Sequence, residues 1–387
     1  MLRVTSRPSV VRMSTEPPAP PTLAPIAERV AAPAHLPLPE VDGLVWRSLT
    51  LGDAPALFGL TAAVEEHDRH PFRTSLEETE EMFEGEWRDL ARDTLVGLDP
   101  DGEPRAYASV DTRPGDASVV RAFVQGAVHP RWRGRGVGRQ VLAWSTGRAR
   151  QLLAASGKEL PARIAGYVQD DDASECRLFE AAGYTANRYY STLRRDLSLP
   201  VPEVALGDGL RVVPWSPELD EATRLAHNDA FRDHWGSEPA TPESWVHGRS
   251  MFAPEWSVLV VDDVAPAPGA VDGSESVSET PDGAAPALST AGGPVVAGYL
   301  LSGRYEQDWP VAGYSSGYTE TLGVRREYRG RRIALALLSA GMAAYQAGGV
   351  EYAELDVDTE NPSGAHGLYA SLGYEKKDGS RMYSIEL

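Results

Sequence analysis

The chain has little cysteine: a single residue, Cys176, in 387. No disulfide can form within it, so stability has to come from apolar burial, and the composition suits a reducing, cytoplasmic setting. Long apolar runs are missing too. None approaches the roughly 18 residues of a membrane span, and Arg3 and Arg7 are not followed by the apolar segment of a signal peptide. Basic residues are outnumbered, 37 Lys and Arg against 56 Asp and Glu, for a formal net charge of −19. That balance argues against nucleic acid or an anionic membrane surface as partner and is compatible with an amine substrate. His67 and His70 beside Glu65 and Glu66 read as a surface helix end, so no metal is expected.

Repetition is what the chain does have. Residues 1–42 form a Pro- and Ala-rich tail, expected to be disordered, with order starting at Gly43. Gly43-Leu44-Val45-Trp46-Arg47 then returns as Gly209-Leu210-Arg211-Val212-Val213, and Ala181-Ala182-Gly183-Tyr184 as Ser371-Leu372-Gly373-Tyr374. The duplication divides the chain into units 43–200 and 201–387. The second copy is longer by about 30 residues, and segment 265–294, small and polar without one Lys or Arg, is the insertion, expected as a disordered hairpin tip.

The most informative stretch joins a strand-like run, Val119 to Val128, to a helix-like run, Val137 to Leu153, through Arg133-Gly134-Arg135-Gly136-Val137-Gly138. Backbone N–H groups of such a turn, with the helix N-terminus, attract phosphate. It is not a dinucleotide fingerprint, because Arg139 stands at the third glycine position, and no Gly-Lys-Ser/Thr marks a P-loop. The second copy reads Arg329-Gly330-Arg331-Arg332-Ile333-Ala334. Its Arg332 stands where the first copy has Gly136, and is expected to be helical there, leaving its N–H available.

The spacing of Arg133, Gly136 and Gly138 resembles the GNAT superfamily of N-acetyltransferases, and the duplicated arrangement resembles its tandem members, distantly the mycothiol synthase type. A group of tandem proteins with the segment His227-Asn228-Asp229-Ala230-Phe231-Arg232-Asp233-His234-Trp235-Gly236 is more similar still. The resemblance implies two tandem α/β (α+β) folds, each a mixed, mostly antiparallel sheet flanked by helices, with acetyl-CoA as acyl donor. By the same resemblance, acetyl-CoA is held at Ala127, Val128 and the turn Arg133 to Gly138 in the first copy. In the second copy it is held at Leu322, Gly323, Val324, the turn Arg329 to Ala334, and Asn361. Tyr369 matches the tyrosine that often protonates the departing thiolate in the family, whereas the first copy has Phe179 there and no counterpart of Asn361. The C-terminal copy is therefore expected to be catalytic and the N-terminal one degenerate.

Acetyl transfer from a thioester to an amine needs a base for the ammonium proton, donors for the oxyanion, and a proton for the thiolate. Glu320, on the strand before the second turn, is the base candidate; a solvated strand carboxylate is the alternative. Glu354, Asp356 and Asp358 alternate with Ala353, Leu355 and Val357, giving a strand with one acidic face, solvated or turned to a cationic substrate. His234 and Trp235 either line the acceptor pocket or serve the structure, and Cys176 packs in a core. The expected function is N-acetylation of a small-molecule amine by a monomer or homodimer. The rival readings are acetylation of a protein or peptide amine and a non-catalytic acyl-CoA-binding module.

Overall fold

The computed structural model describes residues 23–263, 294–360 and 365–387. In the first half α1 (Ile26–Arg29), β1 (Val45–Arg47), α2 (Ala54–Asp68), α3 (Leu76–Glu81) and α4 (Leu90–Asp93) precede β2 (Thr94–Leu98), β3 (Pro104–Asp111) and β4 (Val120–Val128). Then come α5 (Val137–Ala155), β5 (Ala162–Gln169), α6 (Ala173–Ala181) and β6 (Thr185–Asp196). The second half repeats the plan with β7 (Leu210–Pro214), α7 (Asp220–Ala230), α8 (Pro242–Val246), β8 (Val258–Asp262), β9 (Val295–Gly303), α9 (Trp309–Ala312) and β10 (Ser316–Val324). It closes with α10 (Ile333–Ala347), β11 (Tyr352–Asp358), α11 (Ala365–Ser371) and β12 (Glu375–Glu386). The expected insertion, apart from Pro294, lies outside the described residues, as does Asn361.

All the strands join one sheet, in the order β1-β2-β3-β4-β5-β12-β6-β11-β10-β9-β8-β7. Among the described residues only β4 with β5 and β10 with β11 run parallel; the other pairs are antiparallel, so the mixed, mostly antiparallel architecture is as expected. The middle of the order holds an exchange. β6 ends the first half but pairs with β11 of the second, from Asp196↔Tyr352 to Tyr190↔Asp358. β12 ends the second half but pairs with β5 of the first, from Ser380↔Gln169 to Glu386↔Arg163. The two exchanged strands also pair with each other.

The cores follow the exchange. Beneath α5, Ala122, Val141, Ile164 and Phe179 pack with Tyr383 of β12; beneath α10, Leu300, Leu337, Tyr345 and Leu355 pack with Leu193 of β6. Tyr383 is fully buried and Leu193 nearly so, and burial of side chains of this size stabilises by about 1.5–3 kcal/mol each. On the opposite face α2 covers β2 and β3 through Leu57, Leu60, Val96 and Tyr107, and α7 covers β8 and β9 through Ala226, Leu259 and Tyr299. Between these coverings the centre of that face carries Tyr167, 55% exposed, and exposed Asp356.

Order starts before Gly43. Ile26 and Val30 are fully buried in the α5 core, the Ile26 N–H donates to the Lys158 carbonyl at 3.0 Å, and Leu36 lies so close to Gly147 that a Cβ there would meet it at 2.6 Å. The expectation of a tail through residue 42 is corrected to that extent: a few well-spaced apolar residues find a ready groove on α5 despite the prolines. Residues 1–22 lie outside the described residues.

Candidate functional site

Each half sends a strand into a tight turn and then a long helix. In the first, Gly134 (φ 75°) and Gly136 (φ 81°) adopt left-handed backbone, and α5 starts directly after Gly136. In the second, Gly330 (φ 77°) and Arg332 (φ 63°) do so, and α10 starts at Ile333. The expectation that Arg332 is helical is corrected: it takes the left-handed conformation of Gly136, which is strained for a residue with a Cβ. The N–H groups of the first helical turn have no intrahelical partner in either half, so both turns keep the donors that suit phosphate.

The leading arginines turn inward. Arg133 pairs with Asp68 at the end of α2 through two 2.6 Å hydrogen bonds and donates from Nε to the Val128 carbonyl at 3.1 Å. Arg329 donates to the carbonyl of Ala230, at the end of α7, at 2.7 Å. Each ties its turn to the helix preceding it. Around the first turn, Asp68, Asp172 and Glu175 gather negative charge, and burial followed by repulsion from Asp172 and Asp68 pushes the Glu175 carboxyl up to about 7. Asp68, His70 and Asp172 bring possible ligand atoms within 4.8 Å of one another. Asp68 is already committed to Arg133, however, and Asp172 caps α6 by accepting from the Ser174 and Glu175 N–H groups.

The sheet opens where the parallel strands meet the turns. β10 and β11 pair from Ser316/Tyr352 to Thr319/Leu355 and then separate, although both continue. β4 and β5 separate likewise after Phe123/Ala165. The halves differ at this point. Opposite β9, β10 carries a bulge between Thr319 and Thr321 that sets Glu320 out of register, whereas β4 pairs with β3 without interruption from Phe123 to Val128. A bulge re-aims a side chain and frees backbone groups.

Past the bulge, Leu322, Gly323 and Val324 pair with β9 on one side and border the opening on the other. Gly323 has no room for a side chain, since a Cβ would stand 2.4 Å from the Tyr299 ring. The fully buried Tyr299 is held from behind by His227, whose Nδ1 lies 2.7 Å from its hydroxyl. Burial lowers the His227 imidazole to about 4, so it stays neutral. The sequence offered His227 within a motif but gave no reason to place it behind a glycine on a distant strand.

Glu320 faces the groove side. Its Oε1 accepts from Tyr305 Oη at 2.5 Å, and Gly303 makes room for both, because a Cβ there would lie 2.3 Å from Oε1. Glu78 of α3, in the first half, reaches the same place and accepts from Gln307 Nε2 at 2.9 Å. Crowding by protein pushes the Glu320 carboxyl up to about 7, with Tyr305 opposing and Glu78 and Asp356 adding to the rise. Its outer side nevertheless stays in contact with solvent, which tempers the shift.

Tyr369 lies on the other face, 8% exposed, in the cluster beneath α10 against which Leu322, Val324 and Leu368 pack. Its ring meets Tyr374 edge-on at 5.8 Å, and burial raises its hydroxyl to about 12, so it carries its proton near neutral pH. The opening between β10 and β11 thus has a carboxylate on one side of the sheet and a phenol on the other. Around the opening in the first half, Phe179 packs edge-on against Tyr184 at 5.0 Å and offers no proton.

His234 and Trp235 belong to a clasp between the halves. Trp235 sits between the guanidinium groups of Arg163 and Arg188, at 4.1 and 4.0 Å, Arg121 donates to the Gly236 carbonyl at 2.7 Å, and Glu238 accepts from the N–H groups of Ala117, Ser118 and Val119. His234 Nδ1 reaches only the neighbouring Trp235 carbonyl, at 3.1 Å. Cys176 is buried in the α5 core, as expected.

A mixed sheet that opens between two parallel strands, beside a tight turn at a helix N-terminus, thus occurs twice in this chain. The sequence model of the acetyltransferase (GNAT) family matches residues 61–184 and 277–374, and the chain belongs to that family. It is 28% identical over 301 residues to a mycothiol acetyltransferase of Streptomyces avermitilis, spanning 76% of this chain and 78% of the relative. Another mycothiol acetyltransferase, from Thermobispora bispora, is 29% identical over 263 residues, 66% and 73% of the two chains. Among solved structures, a GCN5-related N-acetyltransferase from Sphaerobacter thermophilus matches with a TM-score of 0.62 at 29% identity, over 90% of this chain and 97% of the other. A tandem GNAT protein from the clavulanic acid biosynthesis pathway shares the fold, with a TM-score of 0.59 at 16% identity over 89% and 98%. The protein is an acyltransferase of the N-acetyltransferase class, with no helix among the described residues long and apolar enough to cross a membrane.

Proposed function

We propose that the second half transfers the acetyl group of acetyl-CoA to the amine of a small molecule, with Glu320 as general base and Tyr369 as general acid. The observation carrying this reading is the asymmetry at the two openings: only the second combines the bulge at Glu320 with a tyrosine at position 369. The donor site is Leu322 to Val324 with the turn Arg329 to Ala334; Asn361 is assigned to it on the family resemblance alone. The glycine forced at 323 and the helix N-terminus at Ile333 fit a pantetheine arm and a pyrophosphate.

In this reading Glu320 takes a proton from the ammonium form of the acceptor, and the freed nitrogen attacks the thioester carbonyl. The backbone beside the bulge, Leu322 and Val324, donates to the oxyanion. Tyr369 gives its proton to sulfur as the C–S bond breaks, and the nitrogen sheds its second proton to solvent, so a neutral amide and CoA thiol leave; Glu320 then releases its proton to solvent and Tyr369 recovers one from it. The acids near Glu320, including Asp356 and the Glu78 of the first half, favour a cationic acceptor. The first half keeps the turn at Ala127, Val128 and Arg133 to Gly138 but lacks the bulge and the phenol, so it serves as a binding and supporting unit. The test is CoA release with a broad panel of small amines. Turnover by the intact chain, lost in Tyr369→Phe while acetyl-CoA still binds, supports the reading; CoA binding without turnover of any amine removes it.

A further inference from the structure

The open face at the middle of the sheet has two unlike ends. On β11 the side away from the core residues Ala353, Leu355 and Val357 carries exposed Asp356, flanked by buried Glu354, 3.6 Å from the Lys377 ammonium, and buried Asp358, 4.0 Å from the Arg188 guanidinium. On β5, the corresponding strand of the first half, the side away from Ala162, Ile164 and Val168 carries Arg163, Ala165 and Tyr167. Exposed Asp356 in one half is thus answered by exposed Tyr167 in the other. Tyr167, 55% exposed, lies parallel to Phe123 of β4 with centroids 6.4 Å apart and 9° between the planes. It also meets Tyr190 of β6 at 5.9 Å, leaning across β12. Tyr190 pairs directly with Asp358, and Asp356, two residues back on β11, is near enough to Tyr318 and Glu320 for its charge to act on both. The sequence of groups Glu320, Asp356, Asp358, Tyr190, Tyr167, Phe123 is therefore continuous, and the three strand steps from β11 to β5 span about 14 Å.

An exposed aromatic ring beside two half-buried ones is costly to keep unless something flat covers it. Acids at one end attract a cation, while rings at the other receive a planar face, and the exchange of β6 and β12 is what brings the two ends together. We infer that the Phe123–Tyr167–Tyr190 shelf is a second acceptor subsite. It binds a flat ring, an aryl group or the C–H face of a sugar, attached to the reacting amine through a spacer. The inference rests on the acetyltransferase reading and narrows its substrate class to ring-bearing amines; the first half then chooses the substrate that the second half acetylates.

The test compares butylamine, 4-phenylbutylamine and 4-aminobutyl glucoside as acceptors for the intact chain, Tyr167→Ala and Tyr167→Phe, all checked for unchanged thermal unfolding. A stacked ring contributes a preference of about fivefold. The expected result is that one ring-bearing amine exceeds butylamine in kcat/KM by at least that factor. Tyr167→Ala removes the preference without altering butylamine turnover or the KM for acetyl-CoA, and Tyr167→Phe keeps it. The preferred ring, aryl or sugar, identifies the face. A preference unchanged in Tyr167→Ala, or none in the intact chain, overturns the shelf. If no amine is turned over, the acetyltransferase reading fails separately. Equilibrium dialysis of 4-phenylbutylamine in the presence of CoA then decides the shelf: binding lost in Tyr167→Ala supports it, and equal or absent binding overturns it.

Discussion

Tyr305 donates its hydroxyl proton to Oε1 of Glu320 at 2.5 Å, across the space that Gly303 leaves free. This bond favours the carboxylate, while burial and the neighbouring acids favour the protonated form and carry the group up to about 7. A base acts only when deprotonated, so kcat/KM should rise with pH through a midpoint above the usual carboxylate range and no higher than about 7, and stay level above it, because Tyr369 keeps its proton until about 12. Tyr305→Phe removes the opposing hydrogen bond, and the midpoint should move to higher pH. Glu320→Gln should cost about 100-fold and abolish the midpoint. A pH–rate profile of the three proteins reads all of this.

Arg332 occupies left-handed backbone at φ 63°, where Gly136 stands in the first half. Arg332→Gly relieves the strain, partly offset by the greater freedom of glycine in the unfolded chain, and should stabilise by about 1 kcal/mol. For a chain of this size that is a rise of about 2 °C in Tm. Thermal unfolding without ligand measures it; Arg332→Ala, which keeps a Cβ, should show no rise.

Because β6 completes the second half and β12 the first, neither half should fold alone. Residues 201–387 expressed by themselves leave β11 without its neighbour and β12 without a sheet of its own half, and unpaired edges drive aggregation. The expected outcome is insoluble or self-associated material from either piece. Co-expression of 1–200 with 201–387 should restore a 1:1 complex on size-exclusion chromatography.

Gly323 and His227 form the third pair to test. Gly323→Ala forces a Cβ to 2.4 Å from the Tyr299 ring and should raise the KM for acetyl-CoA at least tenfold. His227 is held neutral, with its folded value lowered to about 4 from the usual 6.5. The unfolded chain therefore takes up that proton first, and the stability tied to His227 is complete above pH 6.5 and is lost as pH falls toward 4. His227→Asn should flatten that part of the stability–pH curve, as followed by urea unfolding between pH 7 and 4.

The duplication and the two turns were legible because glycines and alternating apolar residues encode backbone conformation locally, and the mixed sheet followed only from the family resemblance those turns carry. The exchange was not. β6 and β12 are equivalent last strands of equivalent repeats, so the pattern of either suits both places, and only the tertiary arrangement selects one. The conformation of Arg332 was readable from its alignment with Gly136, but a nearby helix start made the helical assignment look cheaper. Ile26 and Val30 were hidden by the prolines around them. The support of Gly323 by Tyr299 and His227 joins three elements far apart in sequence, and no periodicity within any one of them announces it.

The central claim is that chemistry belongs to the second half, with Tyr369 as the acid. Steady-state CoA release with a responsive amine, beside the Kd for acetyl-CoA, should be measured for the intact chain, Tyr369→Phe and Phe179→Tyr. The account predicts a loss of about 100-fold in turnover for Tyr369→Phe with the Kd within twofold, and no gain or loss for Phe179→Tyr. Full turnover in Tyr369→Phe, or restoration of that variant's activity by adding Phe179→Tyr, would contradict it.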